Sequence, residues 1–555
     1  MEAEKTTRLE YEQRWWSEWF SRDYSWDQLA LKPLYHDSYF GDKTLQEYWR
    51  RCPDTGKIRS DATLKRVGEL VEFDGRWWHV AHLPIRDRDG EQETWKSDGW
   101  HTKWDSVEAI IASRLKFEID SGASTTSVCL DGLVGRNLNL HLFPNEGAKN
   151  FVLRCRNSYL SSINAHGVGN LSIDISGSVF TEFADFSEVV FQEKAKFRRC
   201  YFFGRALFVR AHFECFSDFA GSSFYNVVEF SKSIFEKDFE ISGWFKSESK
   251  ANFFGSLFNG AVFFSSRIES PARSFDRAFY LSRFVGPAEF VGAVAPGQAG
   301  RLASAFVETI FKDRFIIDDG SDFESEYYYK ENMLPEAFRG SNLGYLESLQ
   351  MGCRTIRMAM KSNGDESREQ RYYRFQLSAS RYLGGNDSFE NFVGGVYGWV
   401  SNYGSSFSAP IVALSVLTIF FGLIYSSVGL FGVSRESLIA LAFIFSSFLL
   451  SALVSEFRSS VGGGVPRQLS KSAAIIICLL ALLGAGAFGG GSVWKGQAMA
   501  LAAVFRPFAA LSGDLTGSNL AAQLALRLVT TIQSLLSGVL IFLFGLAVKR
   551  RFQIS

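Results

Sequence analysis

Apolar and polar positions change rhythm three times along the chain. Over the first 120 residues the apolar positions are crowded with Trp, at 15, 16, 19, 26, 49, 77, 78, 95, 100 and 104. Residues 70–73 and 76–83 read as two strands about Asp74-Gly75, a pair that supplies the positive dihedrals of a type I′ hairpin turn. Residues 105–117 read as a helix ending near Lys116. These segments predict a small α+β domain over 1–120, which would cap the element that follows.

From Ile175 the rhythm becomes a ladder: Phe180, Phe186, Phe191, Phe197, Phe202, Phe208, Phe213, Phe219, Phe224, Phe230 and Phe235. The steps alternate five and six residues, so any two advance eleven, a beat that neither an α-helix nor a period-two β-sandwich strand sustains. Short fixed periods mark a solenoid, one step per face of a coil. A small residue stands two positions before many rungs, as Ala184, Ala195, Cys200, Ala206 and Ala211 do. Coils of about twenty residues would stack ring on ring at roughly the 4.8 Å inter-strand spacing, each buried Phe stabilising by about 1.5–3 kcal/mol. After a slip near Trp244 the step resumes at Phe253, Phe258 and Phe263. The solenoid is expected over 121–340, with bulges where the extra residue falls.

The segments Ala184-Asp185-Phe186-Ser187, Ala195-Lys196-Phe197, Ala206-Leu207-Phe208 and Ala251-Asn252-Phe253-Phe254-Gly255 resemble the pentapeptide-repeat family. That resemblance implies a right-handed quadrilateral parallel β-helix. The alternate six-residue steps depart from the family's strict five.

Beyond the ladder, residues 345–361 and 366–382 carry helical spacing on either side of Asn363-Gly364-Asp365, a helical hairpin within a juxtamembrane segment over 341–404. Its second arm is basic and aromatic (Arg368, Arg371, Tyr372, Tyr373, Arg374, Phe375, Arg381), suited either to anionic headgroups or to a solvated face packed on the end of the repeats. Trp399 and Tyr403 then fall where an aromatic belt would lie. Over 405–555 four uncharged stretches, 409–434, 437–455, 472–494 and 528–548, each supply the roughly 20 apolar residues of a membrane span. Lys549, Arg550 and Arg551 after the last span, with Arg458, Arg467 and Lys471 between the second and third, place both termini on the cytoplasmic side. Segment 497–515 fits a re-entrant or an interfacial helix. The runs Arg371-Tyr372-Tyr373-Arg374-Phe375, Tyr397-Gly398-Trp399 and Leu540-Ile541-Phe542-Leu543-Phe544-Gly545, with Thr44-Leu45-Gln46-Glu47-Tyr48-Trp49-Arg50 near the start, resemble bacterial membrane-anchored pentapeptide-repeat proteins. The resemblance implies a multi-pass protein of the bacterial inner membrane and carries no activity with it.

Charge and chemistry narrow the function by exclusion. The 555 residues have a formal net charge of zero, and residues 181–270 hold twelve acidic against eleven basic side chains. That balance speaks against a nucleic-acid partner and against a DNA mimic, which needs about one negative charge per 1.7 Å. The seven cysteines are scattered and never spaced as a zinc pair. His79, His82 and His101 form the only histidine cluster; on a strand, positions three apart face opposite ways, which argues against a shared metal. No catalytic residue, cofactor or metal is expected. The expected function is a non-enzymatic membrane-anchored scaffold whose β-helix binds a protein partner, the bilayer being the other partner and the membrane bundle a surface for oligomerisation. The alternative is a pore or transporter with the β-helix as its cytoplasmic regulator.

Overall fold

The computed structural model describes residues 2–29, 44–97, 102–120, 125–140, 150–269, 274–291, 302–318, 343–383 and 520–552, with short stretches of 414–424 and 498–504. It divides into two compact units, Met1–Leu383 and Gly384–Ser555. The expected spans over 409–434, 437–455 and 472–494, segment 497–515, Trp399 and Tyr403 lie wholly or mostly outside the described residues.

The first unit is built on a parallel β-solenoid with Phe-rich stacked turns, about seven of them over residues 127–290. Its ladder pairings are all parallel, and the same stack continues through Ile310–Phe311 and Phe315–Asp318. Each coil has four inward positions. One column runs Leu160, Phe180, Phe202, Phe224, Phe245, Ile268; the next Phe186, Phe208, Phe230, Phe253, Phe279, Phe306. The third runs from Phe191 through Phe213, Phe235, Phe258 and Phe284 to Phe311, with ring centroids 4.6–5.0 Å apart. The fourth runs Cys155, Ile175, Phe197, Phe219, Ile241, Phe264, Phe290, Ile317.

These columns explain the sequence beat. Phe186, Phe208 and Phe230 lie one coil apart, so a coil holds twenty-two residues rather than twenty. Five-residue steps turn through a tight corner in which the third residue has positive φ: Glu188 (61°), Arg199 (54°), Arg210 (57°), Lys232 (58°). The next N–H closes the turn, as Ala211 N–H does onto Phe208 O (3.2 Å), the pattern of a type II turn. Six-residue steps make the other two corners without a left-handed residue. The rung carbonyl that opens a tight corner accepts a second hydrogen bond from a column of small hydroxyls. Ser233, Ser256, Ser282 and Thr309 donate to the carbonyls of Phe208, Phe230, Phe253 and Phe279 in the coil before. On the opposite corner Ser178, Cys200 and Ser222 do the same for Cys155, Ile175 and Phe197.

One detail of the ladder is corrected. Phe263 points outward, 43% exposed, and the rung is Phe264 at 1%. The corner after Phe258 is a six-residue step, so counting five falls one residue short. The slip near Trp244 is a bulge: the register between the strands at 217–224 and 239–245 shifts between Phe219 and Ser222. There a large residue, Phe239, stands at the small-residue position that Ser217 holds one coil earlier. The solenoid also begins earlier than its phenylalanines. Thr125–Cys129, Val134–Asn139, Asn150–Arg154 and Tyr159–Asn164 form the first coils, filled by Leu130, Leu138, Leu153, Leu160 and Ile163.

The N-terminal region comprises α1 (Glu2–Arg22), α2 (Trp26–Leu29), α3 (Leu45–Arg50), α4 (Asp61–Arg66), the hairpin β1 (Leu70–Phe73) and β2 (Arg76–His79), and α5 (Thr102–Asp120). The hairpin turns at Asp74 and Gly75 with φ of 52° and 66°, as the Asp-Gly pair predicts. Only part of this region is a cap. Helix α5 packs against the first strands, whereas α1 lies along the side of the stack. Trp16 meets Tyr159 (5.1 Å), Trp15 Nε1–H donates to Gly177 O (2.7 Å), and Tyr11 contacts Tyr201 (5.9 Å) and Tyr225 (6.2 Å). The far end of the solenoid is closed by α6 (Leu343–Ser362) and α7 (Glu366–Leu383), with the expected break at 363–365. A Cβ on Gly352 of α6 would lie 1.8 Å from Ala303 O, so only glycine admits that approach. In the second unit α8 (Leu520–Phe552) is the one long helix described.

Candidate functional surfaces

Four places gather polar chemistry or unusual exposure. The first is a buried cluster in the N-terminal region. Arg59 binds Glu69 through both guanidinium nitrogens (2.6 and 2.6 Å), and Glu69 lies 3.5 Å from His79 Nε2. Ala81 N–H donates to His79 Nδ1 (3.2 Å), so the neutral ring carries its proton on Nε2, facing the carboxylate. Trp49 and Trp26 cover the imidazole at 4.6 and 5.9 Å. Burial alone would raise the Glu69 pKa, but hydrogen bonds from His79 and Arg59 outweigh it and hold the carboxyl at about 2. Burial lowers the pKa of His79. Arg114, buried beside them, donates to Tyr48 O (2.9 Å) and Trp49 O (2.6 Å).

His79 and His82 do not face opposite ways as a continuous strand would require. Strand β2 ends at His79 and the chain turns, bringing the two rings within 6.3 Å. His82 Nδ1 nevertheless faces Gly132 O (3.0 Å), and the described residues contain no group of three ligand-type side chains. The chemistry-bearing side chains here tie the cap to the first coil. Lys96 does likewise, donating from Nζ to Val134 O (2.6 Å), its pKa pulled well down by burial. The thiols of Cys155, Cys200 and Cys353 are buried and raised by burial, and Cys129 is pushed up to about 12 by burial. A thiol so shifted is not a nucleophile at neutral pH.

The second place is a groove of about 470 Å³ on an outer face of the solenoid, floored by Val152, Ser172 and Phe216. Its charges pair across coils: Lys194 with Asp218 (3.2 Å), Lys196 with Asp174 (3.7 Å), and Ser172 Oγ with Glu193 (3.2 Å). Lys194 also sits 4.5 Å from the Phe216 ring. Flanking it, Asp131 joins Arg154 (3.0 Å) and Arg156 (2.8 Å). Opposite charges one coil apart stitch neighbouring turns together.

The third place is α8, whose polarity is inverted. Leu528, Ile532, Leu535, Leu536, Val539, Ile541 and Phe542 are exposed, while Thr530, Gln533, Ser534 and Ser537 are buried. Gln533 Nε2–H donates to Ala500 O (2.8 Å). Residues Arg527–Gly545 have a mean hydropathy of 1.9, long and apolar enough to cross a bilayer; among the described residues they are the one such helix. Lys549, Arg550 and Arg551 fall in its last turns. The inward polar stripe was not foreseen, although its i, i+3, i+4, i+7 spacing is plain in the sequence.

The fourth is the outer face of α6, where two methionines stand exposed beside basic residues. The basic arm α7, by contrast, packs inward through Tyr372, Phe375 and Ala379, with Arg368 held by Asp365 (3.2 Å) and Glu369 by Arg357 (3.3 Å). Of the sequence-predicted site residues, every ladder phenylalanine except Phe263 lines the core. The ladder is therefore structural. Comparison with protein-family models, with curated proteins and with solved structures finds no match.

Proposed function

We propose that the chain is a non-enzymatic membrane-anchored scaffold whose β-solenoid presents outward residues to a protein partner. In this reading the solenoid is a right-handed, four-sided coil of the pentapeptide-repeat kind. The anchor is a bundle of about four spans in a bacterial inner membrane, with both termini cytoplasmic. The inverted polarity of α8 carries the anchoring half: seven large apolar side chains face outward and four hydroxyl or amide side chains face inward. In water that arrangement forfeits roughly 1.5–3 kcal/mol per large apolar side chain, whereas in hydrocarbon it is the favoured one. The scaffolding half is supported by a surface whose charges are paired between coils and by buried histidines and thiols that serve the fold. Outward apolar residues such as Phe183 and Phe263 stand ready for contact.

Anchoring is tested by alkaline carbonate and urea extraction of native membranes, with release into the supernatant as the result that removes it. Scaffolding is tested in the full-length protein with a photoreactive amino acid at Phe183 or Phe263, and at buried Phe213 as a control. A partner adduct competed away by excess unlabelled protein is expected from the outward sites. Failure of both outward sites to give one would count against the reading. The pore or transporter alternative draws on the buried stripe Thr530, Gln533, Ser534 and Ser537, and planar-bilayer recording of the purified protein decides it.

A further inference from the structure

Helix α6 closes the solenoid with one face and leaves the other bare. Its inner face, Leu346, Leu349, Cys353, Ile356 and Met360, is buried, and the helix is pinned by Arg277 Nε–H to Ser348 Oγ (2.7 Å) and by Asn363 Nδ2–H to Phe315 O (2.9 Å). The outer face carries Leu343 (64% exposed), Met351 (37%) and Met358 (66%), with Arg354 and Lys361 exposed on the same stripe and Glu347 its one acidic member. At 1.5 Å per residue the stripe is about 27 Å long and straight. Exposed methionines adapt to a soft apolar surface, and the flanking cations are complementary to an anionic one.

We propose that this stripe of α6 rests on the anionic headgroup layer of the membrane, Met351 and Met358 entering the interface and Arg354 and Lys361 meeting lipid phosphates. The inference rests on the anchoring reading above and adds which surface of the cytoplasmic part touches lipid. It also moves the headgroup contact from α7, where the sequence suggested it, to α6. Helix α7 spends its aromatic residues on the interior, while α6 has apolar and basic side chains to spare. Its occupant is a lipid surface because cations and flexible apolar residues alternate along one line, the pattern of an interfacial helix. The stripe sits on a fixed scaffold, so contact needs no folding of the helix.

The test uses the full-length protein in nanodiscs, with an environment-sensitive fluorescent amino acid at position 358 and, as a control, at position 263. Brominated phosphatidylglycerol should quench the probe at 358 and spare the one at 263. Quenching should be lost when the bromine is carried by phosphatidylcholine in nanodiscs of that lipid alone, and in 1 M salt, where the screening length is about 3 Å. The pair Arg354→Gln and Lys361→Gln should weaken it roughly 30-fold in lipid titration, each cation being worth about 1 kcal/mol at such a surface. A probe at 358 that is unquenched in anionic nanodiscs overturns the proposal. So does quenching indifferent to lipid charge, or a blue shift without quenching, which would mean that a second protein copy covers the stripe. Carbonate extraction of the same samples separates the two readings. Protein that stays with lipid while position 358 is silent defeats this inference alone, and protein that is extracted defeats the anchoring.

Discussion

Phe263 and Phe264 are neighbours of identical chemistry, and the structure assigns them opposite roles. Phe264 is 1% exposed, with Phe290 at 5.2 Å, Phe275 at 5.6 Å and Phe245 at 5.8 Å around its ring. Truncating such a ring leaves a cavity in a column that cannot collapse, because the strands above and below hold their spacing. Phe264→Ala should therefore cost about 3–5 kcal/mol. Phe263, 43% exposed, loses only part of the roughly 1.5–3 kcal/mol of full burial and opens no cavity, so Phe263→Ala should cost about 1 kcal/mol or less. Pulse proteolysis of the full-length protein in urea measures both without requiring reversible unfolding of the membrane part. At a slope of about 3 kcal/mol per molar, Phe264→Ala should move the midpoint by roughly 1–1.7 M and Phe263→Ala by about 0.3 M or less. Equal shifts, or a larger shift for Phe263→Ala, would refute the six-residue corner after Phe258 and with it the column assignment.

The hydroxyl ladder predicts that Ser256→Ala, which leaves the Phe230 carbonyl only the turn-closing N–H of Ser233 (3.1 Å), costs about 0.5–1.5 kcal/mol by the same assay. Cys200→Ser should stay within about 1 kcal/mol, since Ser178 and Ser222 occupy the same step in adjacent coils. Gly204→Ala should destabilise strongly or prevent folding, because its Cβ would fall 1.4 Å from Glu182 O; normal expression and melting would contradict this. The Glu69–His79 pair predicts acid sensitivity of the N-terminal region. The pKa of His79 is depressed below its ordinary 6.5, so its contribution is complete above that pH and fades as pH falls below it; Glu69 adds a second loss below about 4.5, running towards 2. Tryptophan fluorescence, with Trp26 and Trp49 against the imidazole, should report the upper phase, and His79→Gln should abolish that phase while leaving the lower one.

The solenoid was legible in the sequence because its rungs are large, identical and periodic. The inward positions of its first coils were not, since Leu160, Ile163 and Leu153 fill them with residues that occur in any core. Step counting failed at Phe263 because the corner after Phe258 is one of the six-residue steps, and counting it as five lands one residue short of the buried Phe264. The hairpins at 74–75 and 363–365 were legible because turn chemistry is local. Helix α1 was missed, although Tyr11, Trp15 and Trp19 stand four apart; a run of Trp reads as core filling until its spacing is measured. Function was legible only as exclusion, because ladder residues announce the interior and the outward positions share no common chemistry.

Helix α1 changes how the stack should come apart. A solenoid held only by neighbouring coils unfolds piecemeal, fraying inward from an end. Here one helix reaches the coils of Tyr159, Gly177, Tyr201 and Tyr225 in turn, so opening any one of them strains a strut shared by the rest. Those coils should melt as a single cooperative block, whereas the later coils beyond the described reach of α1 keep the gradual, end-to-end loosening of an ordinary repeat array.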